Sequence, residues 1–176
     1  MSDEEKMIAL ETERLVLRRL QGRDIPALLN LWTDPEVTFY MGGPRNRQQL
    51  EADFAKEAAG PLAEEYDLWP LADKRTGRVV GHCGLLEKDV DGKPEVELVY
   101  VIARSAWGHG FASEVARELI QHAFHQLNIT RLMALIEPEN GASEAVAKNV
   151  GMHLEKETVR PGGTIRKVYC IESAKS

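Results

Sequence analysis

The stretch from Val96 to Phe124 constrains the fold more than any other part of the chain. A strand-like run, Glu95 to Ile102, leads into Ala106-Trp107-Gly108-His109-Gly110-Phe111-Ala112 and then into a long helical pattern. From Gly110 to Leu127 the apolar residues Ala112, Ala116, Leu119, Ile120, Ala123, Phe124 and Leu127 form one stripe of an amphipathic helix. The next apolar run, Arg131 to Glu137, reads as a strand. A crossover of this length joins parallel neighbours, so this segment predicts one strand–helix–strand unit.

The rest of the chain predicts antiparallel pairing around that unit. Arg14 to Leu20 alternates as a first strand, and Leu68 to Ala72 and Arg78 to Leu86 precede the Glu95 to Ile102 run. Thr76-Gly77 and Asp91-Gly92-Lys93-Pro94 separate them as turns too short for a crossover. Asp24 is placed to cap a helix with Pro26 in its first turn, carrying Leu28, Leu29 and Trp32. Gly42-Gly43-Pro44 breaks the chain before a second helix, Gln48 to Ala59, which ends near Gly60-Pro61. A short helix, Ala142 to Asn149, closes at Gly151, and strands near Glu155 to Arg160 and Ile165 to Glu172 flank Pro161-Gly162-Gly163. The expectation is a single α/β (α+β) domain over residues 1–176, with its core over about 8–172. Its centre is a mixed, mostly antiparallel, twisted sheet of about six to seven strands flanked by about four helices.

Composition excludes several classes. The net charge is −6 and no Lys/Arg run exists to displace phosphate counterions, so no nucleic-acid partner is expected. No apolar run approaches a membrane span. The opening MSDEEKMIAL is acidic where an export signal would be basic, so the expectation is a cytoplasmic protein. Cys83 and Cys170 are too few for a disulfide framework and read as buried thiols. His82-Cys83 lies in a strand that could line a cleft, with a packed core thiol as the plainer reading for Cys83. His122 and His125 share a helix face without further ligands, so no metal is expected.

The glycine turn permits close backbone approach, and the free N–H groups of the helix it opens make an anion site. A dinucleotide fingerprint fits poorly, because antiparallel hairpins precede the turn and no acidic residue is well placed about 20 positions on. A Walker A loop is excluded by the lack of Gly-Lys-Ser/Thr. A turn that only packs the helix on the sheet is the remaining alternative.

The order of strand, glycine turn, long helix and strand is followed by Asn140-Gly141-Ala142-Ser143 and a short helix ending Val150-Gly151-Met152. This order resembles the GNAT N-acetyltransferase superfamily. The family pattern Gln/Arg-x-x-Gly-x-Gly/Ala falls on Trp107-Gly108-His109-Gly110-Phe111-Ala112. Trp107 departs from the usual first residue, but tryptophan-glycine-x-glycine is common in the branch resembling the Rim-type acetyltransferases of ribosomal-protein N-termini. Glu11-Thr12-Glu13-Arg14-Leu15-Val16-Leu17-Arg18 and Glu97-Leu98-Val99-Tyr100 also look like that branch.

The resemblance implies acetyl-CoA as cosubstrate and a primary amine as acceptor: a peptide N-terminus, a polyamine, an amino sugar or another small molecule. Tyr100, Val101 and Ile102 would pair with the pantetheine arm, and the turn from Trp107 through Ser113, including His109, Phe111 and Ala112, would hold the pyrophosphate. Asn140 and Ser143 would contact the cofactor. Strand parity places Glu95, Glu97, Val99 and Val101 on one sheet face, and Glu97 is the candidate general base, with a solvated strand face as its alternative. Many relatives carry a tyrosine, the acid for the thiolate, where this chain has Ala147; Ser143 is the candidate replacement, unless it merely caps its helix. The segment Val37 to Arg47 and the first two helices are expected to wall the acceptor. Rim-like relatives imply a homodimer. A non-catalytic acyl-CoA-binding module of the same fold is the competing function.

Overall fold

Short hairpins build most of the sheet. The computed structural model describes residues 8–60 and 66–174; the acidic opening segment and Pro61 lie outside the described residues. The strands are β1 (Ile8–Glu11), β2 (Leu15–Arg18), β3 (Leu68–Asp73), β4 (Val79–Val90), β5 (Lys93–Ile102), β6 (Arg131–Ile136), β7 (His153–Val159) and β8 (Ile165–Glu172). They form one eight-stranded sheet in the order β1-β2-β3-β4-β5-β6-β8-β7. Every neighbouring pair is antiparallel except β5 and β6, which are parallel as the crossover predicts.

Two local departures have clear causes. Asp91 and Gly92 both take positive φ, 54° and 78°, which closes a two-residue hairpin. Lys93 and Pro94, expected in the turn, therefore belong to β5 and pair with Val90 and Asp89. Asp24 does not cap the first helix through its side chain. Its buried carboxylate instead accepts the Gln21 N–H at 2.9 Å and both Arg18 guanidinium nitrogens at 2.6 and 2.9 Å. A buried carboxylate takes the bidentate cation because it must be neutralised where it sits.

Four α-helices cover the described sheet: α1 (Ile25–Thr33), α2 (Arg47–Ala59), α3 (Phe111–His125) and α4 (Gly141–Asn149). Leu28, Leu29 and Leu31 of α1 and Phe54 of α2 pack with Val101 on one face. Val115, Ala116, Leu119, Ile120 and Ala123 of α3 pack with Leu98, Leu132 and Tyr169 on the other. This division confirms the alternation along β5, with Val99 and Val101 on the α1/α2 side and Leu98, Tyr100 and Ile102 on the α3/α4 side. His82 and Cys83 are both buried in these cores and line neither cleft described below, contrary to the cleft-lining reading.

The feature that positions the site is the junction of β5 and β6. Their register is confined to Glu97 opposite Met133. At the end preceding that pair, Arg131 holds the strands together, contacting Glu95 at 3.1 Å and Glu155 at 2.8 Å. Past the pair, Tyr100 to Ile102 remain bonded to β4 and, among the described residues, have no partner strand on the β6 side. The sheet is pinned at one end of this junction and open at the other.

Candidate active site

The open end of the junction holds two adjoining clefts. One, of about 460 Å³, is lined by Tyr100, Val101 and Ile102, by the turn residues Trp107, Gly108 and Gly110, and by Phe111, Ala112 and Ser113 of α3. Asn140 and Ser143 at the start of α4 complete it. The second, of about 330 Å³, lies over Glu97. Tyr40, Met41, Tyr100, Val101, Asn140 and Ser143 line both, so the clefts meet where the strands part.

The glycine turn leaves its outer side open. Gly108 and Gly110 have φ of 80° and 76°, a region that side-chain-bearing residues avoid. A Cβ at Gly108 would meet nothing within 4 Å, so the backbone there is open to close approach. The Trp107 indole N–H donates to the Ile102 carbonyl at 2.9 Å and ties the turn to the end of β5, although the ring remains 49% exposed. His109 is exposed and folds back on its own turn. Its Nδ1 lies 3.2 Å from the Ala106 carbonyl and 3.0 Å from that of Trp107, and the ring stacks on Phe111. Because both partners are acceptors, Nδ1 carries the proton. His109 therefore stiffens the turn and is absent from the cleft lining, unlike the other residues expected there.

Residues not singled out from the sequence support this turn. Glu114, in the first turn of α3, accepts from the Thr12 hydroxyl at 2.6 Å and pairs with Arg14 at 2.6 Å. The Arg14 guanidinium lies 4.8 Å over the Phe111 ring and beside Gly110. At α4, the Asn140 side chain accepts the Ser143 N–H at 3.1 Å, an N-cap, while the Ser113 hydroxyl accepts from Asn149 at 3.0 Å. Ala147 is fully buried, and α4 brings no phenol to the clefts. A hydroxyl arrives from the strand instead. Tyr100 Oη donates to the Ser143 carbonyl at 3.0 Å. Burial and the nearby Glu97 push that phenol's pKa up.

Glu97 is no solvated strand-face residue: its side chain is 14% exposed and Lys88 Nζ lies 3.8 Å away. Burial raises its pKa above the ordinary carboxylate value, and Lys88, the Leu135 backbone and Arg160 offset part of that rise. Of the wall expected from the first two helices and their connection, only the connection, through Tyr40 and Met41, lines the clefts; α1 and α2 contribute no lining residue because their apolar side chains are packed on the sheet. The far wall of the Glu97 cleft is Arg160, Thr164 and Arg166 of the β7–β8 hairpin, a contribution not foreseen from sequence.

The acetyltransferase (GNAT) domain family matches residues 14–153, a span that contains β5, the glycine turn and α4. The chain belongs to the GNAT acetyltransferase family. This GNAT protein is 34% identical over 161 residues to the uncharacterised protein YkkB of Bacillus subtilis, covering 91% of this chain and 93% of that one. It is 33% identical over 157 residues to the uncharacterised N-acetyltransferase p20 of Bacillus licheniformis, covering 85% and 84%. Its fold matches the crystal structure of spermidine N-acetyltransferase from Vibrio cholerae in complex with CoA and spermine. The TM-score is 0.72 and the identity 19%, with 90% of this chain and 95% of that chain covered.

Proposed function

We propose that this GNAT protein is an acetyl-CoA-dependent N-acetyltransferase that passes the acetyl group to a primary amine by direct attack on the thioester. The observation that carries the reading is the meeting of two clefts where β5 and β6 part, one over the glycine turn and one over Glu97. The first cleft fits the cofactor. The edge of Tyr100 to Ile102, which faces no neighbouring strand and has only its Ile102 carbonyl taken by Trp107, would hold the pantetheine amides, and the open backbone from Gly108 to Ser113, at the positive end of α3, would hold the pyrophosphate. Acetyl-CoA, when bound, supplies an activated acyl carbonyl. Glu97 accepts the amine proton, directly or through a water, and its burial keeps it basic enough for that task. Ser143, at the join of the clefts, is placed to hand a proton to the sulfur end, with Tyr100 fixing its backbone.

Labelled acetyl-CoA incubated with a panel of primary amines tests this reading, and label is expected on an amine. Saturating CoA, at a hundred times its Kd, should also stabilise the fold by about 2.7 kcal/mol. Stabilisation without transfer to any amine would leave a binding module. No stabilisation by CoA would defeat both readings.

A further inference from the structure

The chain carries a net charge of −6, yet three cations converge on the small cleft over Glu97. Lys88 comes from the β4–β5 hairpin, and Arg160 and Arg166 from the β7–β8 hairpin. The two hairpins are clipped together: Arg160 Nη1 donates to the Asp89 carbonyl at 2.6 Å, and Asp91 takes Lys156 at 2.7 Å and the Thr158 hydroxyl at 2.5 Å. Lys88 reaches Glu97 at 3.8 Å, whereas among the described residues neither Arg160 nor Arg166 has a carboxylate within 4.0 Å. The Arg166 Nη1 donates only to the Ile165 carbonyl, at 2.8 Å. Two guanidinium groups lining a cavity without an ion-pair partner offer planar donors to an incoming anion. The cavity, about 330 Å³, is at the lower end of small-molecule sites. A flexible polycation entering it would bring its second ammonium against the arginines, at a cost that the nearby carboxylates, Glu97 and Glu137, only partly offset.

We propose that the acceptor is a small primary amine carrying its own carboxylate or phosphate, with the anion held by Arg160, Arg166 and Lys88 and the amine facing Glu97. The inference rests on the acetyltransferase reading of the same cleft. It is tested by thiol release from acetyl-CoA with matched pairs of acceptors: an amino acid against its amide, and an amino-sugar phosphate against the free amino sugar, with spermidine as a cationic control. The anionic member of at least one pair should exceed its neutral partner in kcat/KM by about tenfold or more, and the two pairs tell carboxylate from phosphate. R166Q and R160Q should each reduce that ratio severalfold. R166Q, at a half-buried side chain that bonds only the neighbouring Ile165 carbonyl, keeps the test usable if R160Q loosens the hairpins. Neutral amines or spermidine turning over as well as the anionic members would overturn the proposal and leave the acetyltransferase reading intact. Thiol release that no amine accelerates above the amine-free rate would remove both.

Discussion

Glu97 and His82 lie on the same sheet face, and burial moves their proton affinities in opposite directions. In the proposed reaction Glu97 works as the carboxylate, so its raised pKa would bring the acidic limb of kcat/KM closer to neutrality. Glu97→Gln should lower kcat about a hundredfold or more, change acetyl-CoA affinity little and erase that limb. A mutant with the same pH profile as the parent would remove Glu97 as the base. His82 accepts the Trp32 indole N–H on Nδ1 at 3.0 Å, and burial lowers its pKa from 6.5 to about 4. The unfolded imidazole takes a proton where the folded one does not. Stability is therefore full above pH 6.5 and falls as pH drops toward 4, by roughly 3 kcal/mol in all. Urea titrations from pH 7.5 to 4.5 should show this slope, and His82→Phe should flatten it at the expense of the Trp32 acceptor. An undiminished slope in the variant would place the acid sensitivity elsewhere. The face of Glu97 was legible because strand alternation assigns it, whereas its burial was not. The fold-back of His109 and the approach of Arg160 and Arg166 were not legible either, since they depend on a ring rotamer and on hairpins distant in sequence.

The turn before α3 shows what an element can reveal in advance. A strand, two glycines and a 3.6-residue stripe are strong local signals, and α3 and the parallel β5/β6 pair were legible from them. Ala116, Leu119, Ile120 and Ala123 are buried as the stripe predicts, and only its edge is displaced: Phe111 and Val115 are buried, while Ala112 looks onto the cleft. β1 was illegible because Ile-Ala-Leu-Glu is too short for periodicity, and only pairing with β2 makes it a strand. The turn also supports a sharp prediction. Gly110 caps α3 with a φ of 76°, so Gly110→Val introduces about 1–3 kcal/mol of backbone strain and a side chain next to the Arg14 guanidinium. CoA affinity, measured by calorimetry, should fall at least about tenfold. Wild-type affinity in that variant would show that the phosphates sit elsewhere.

At the scale of the whole molecule, the sheet of eight strands parts at the β5/β6 junction, and the proposed function rests on that parting. Arg131 pins one end of the β5/β6 junction through Glu95 and Glu155, while the other end is flanked by the starts of α3 and α4 and by the α1–α2 connection. Sequence order predicted the parallel pair; it could not show that the pairing stops at Glu97, because strand length does not reveal where two neighbours diverge. In the proposed function this gap seats the cofactor arm. A crystal structure of the protein with CoA tests it most directly. It should show the pantetheine amides bonded to the free edge of Tyr100 to Ile102, the pyrophosphate on the amides from Gly108 to Ser113, and the sulfur between Glu97 and Ser143. CoA bound away from the gap, or β6 closed against Tyr100 to Ile102 in the complex, would contradict it.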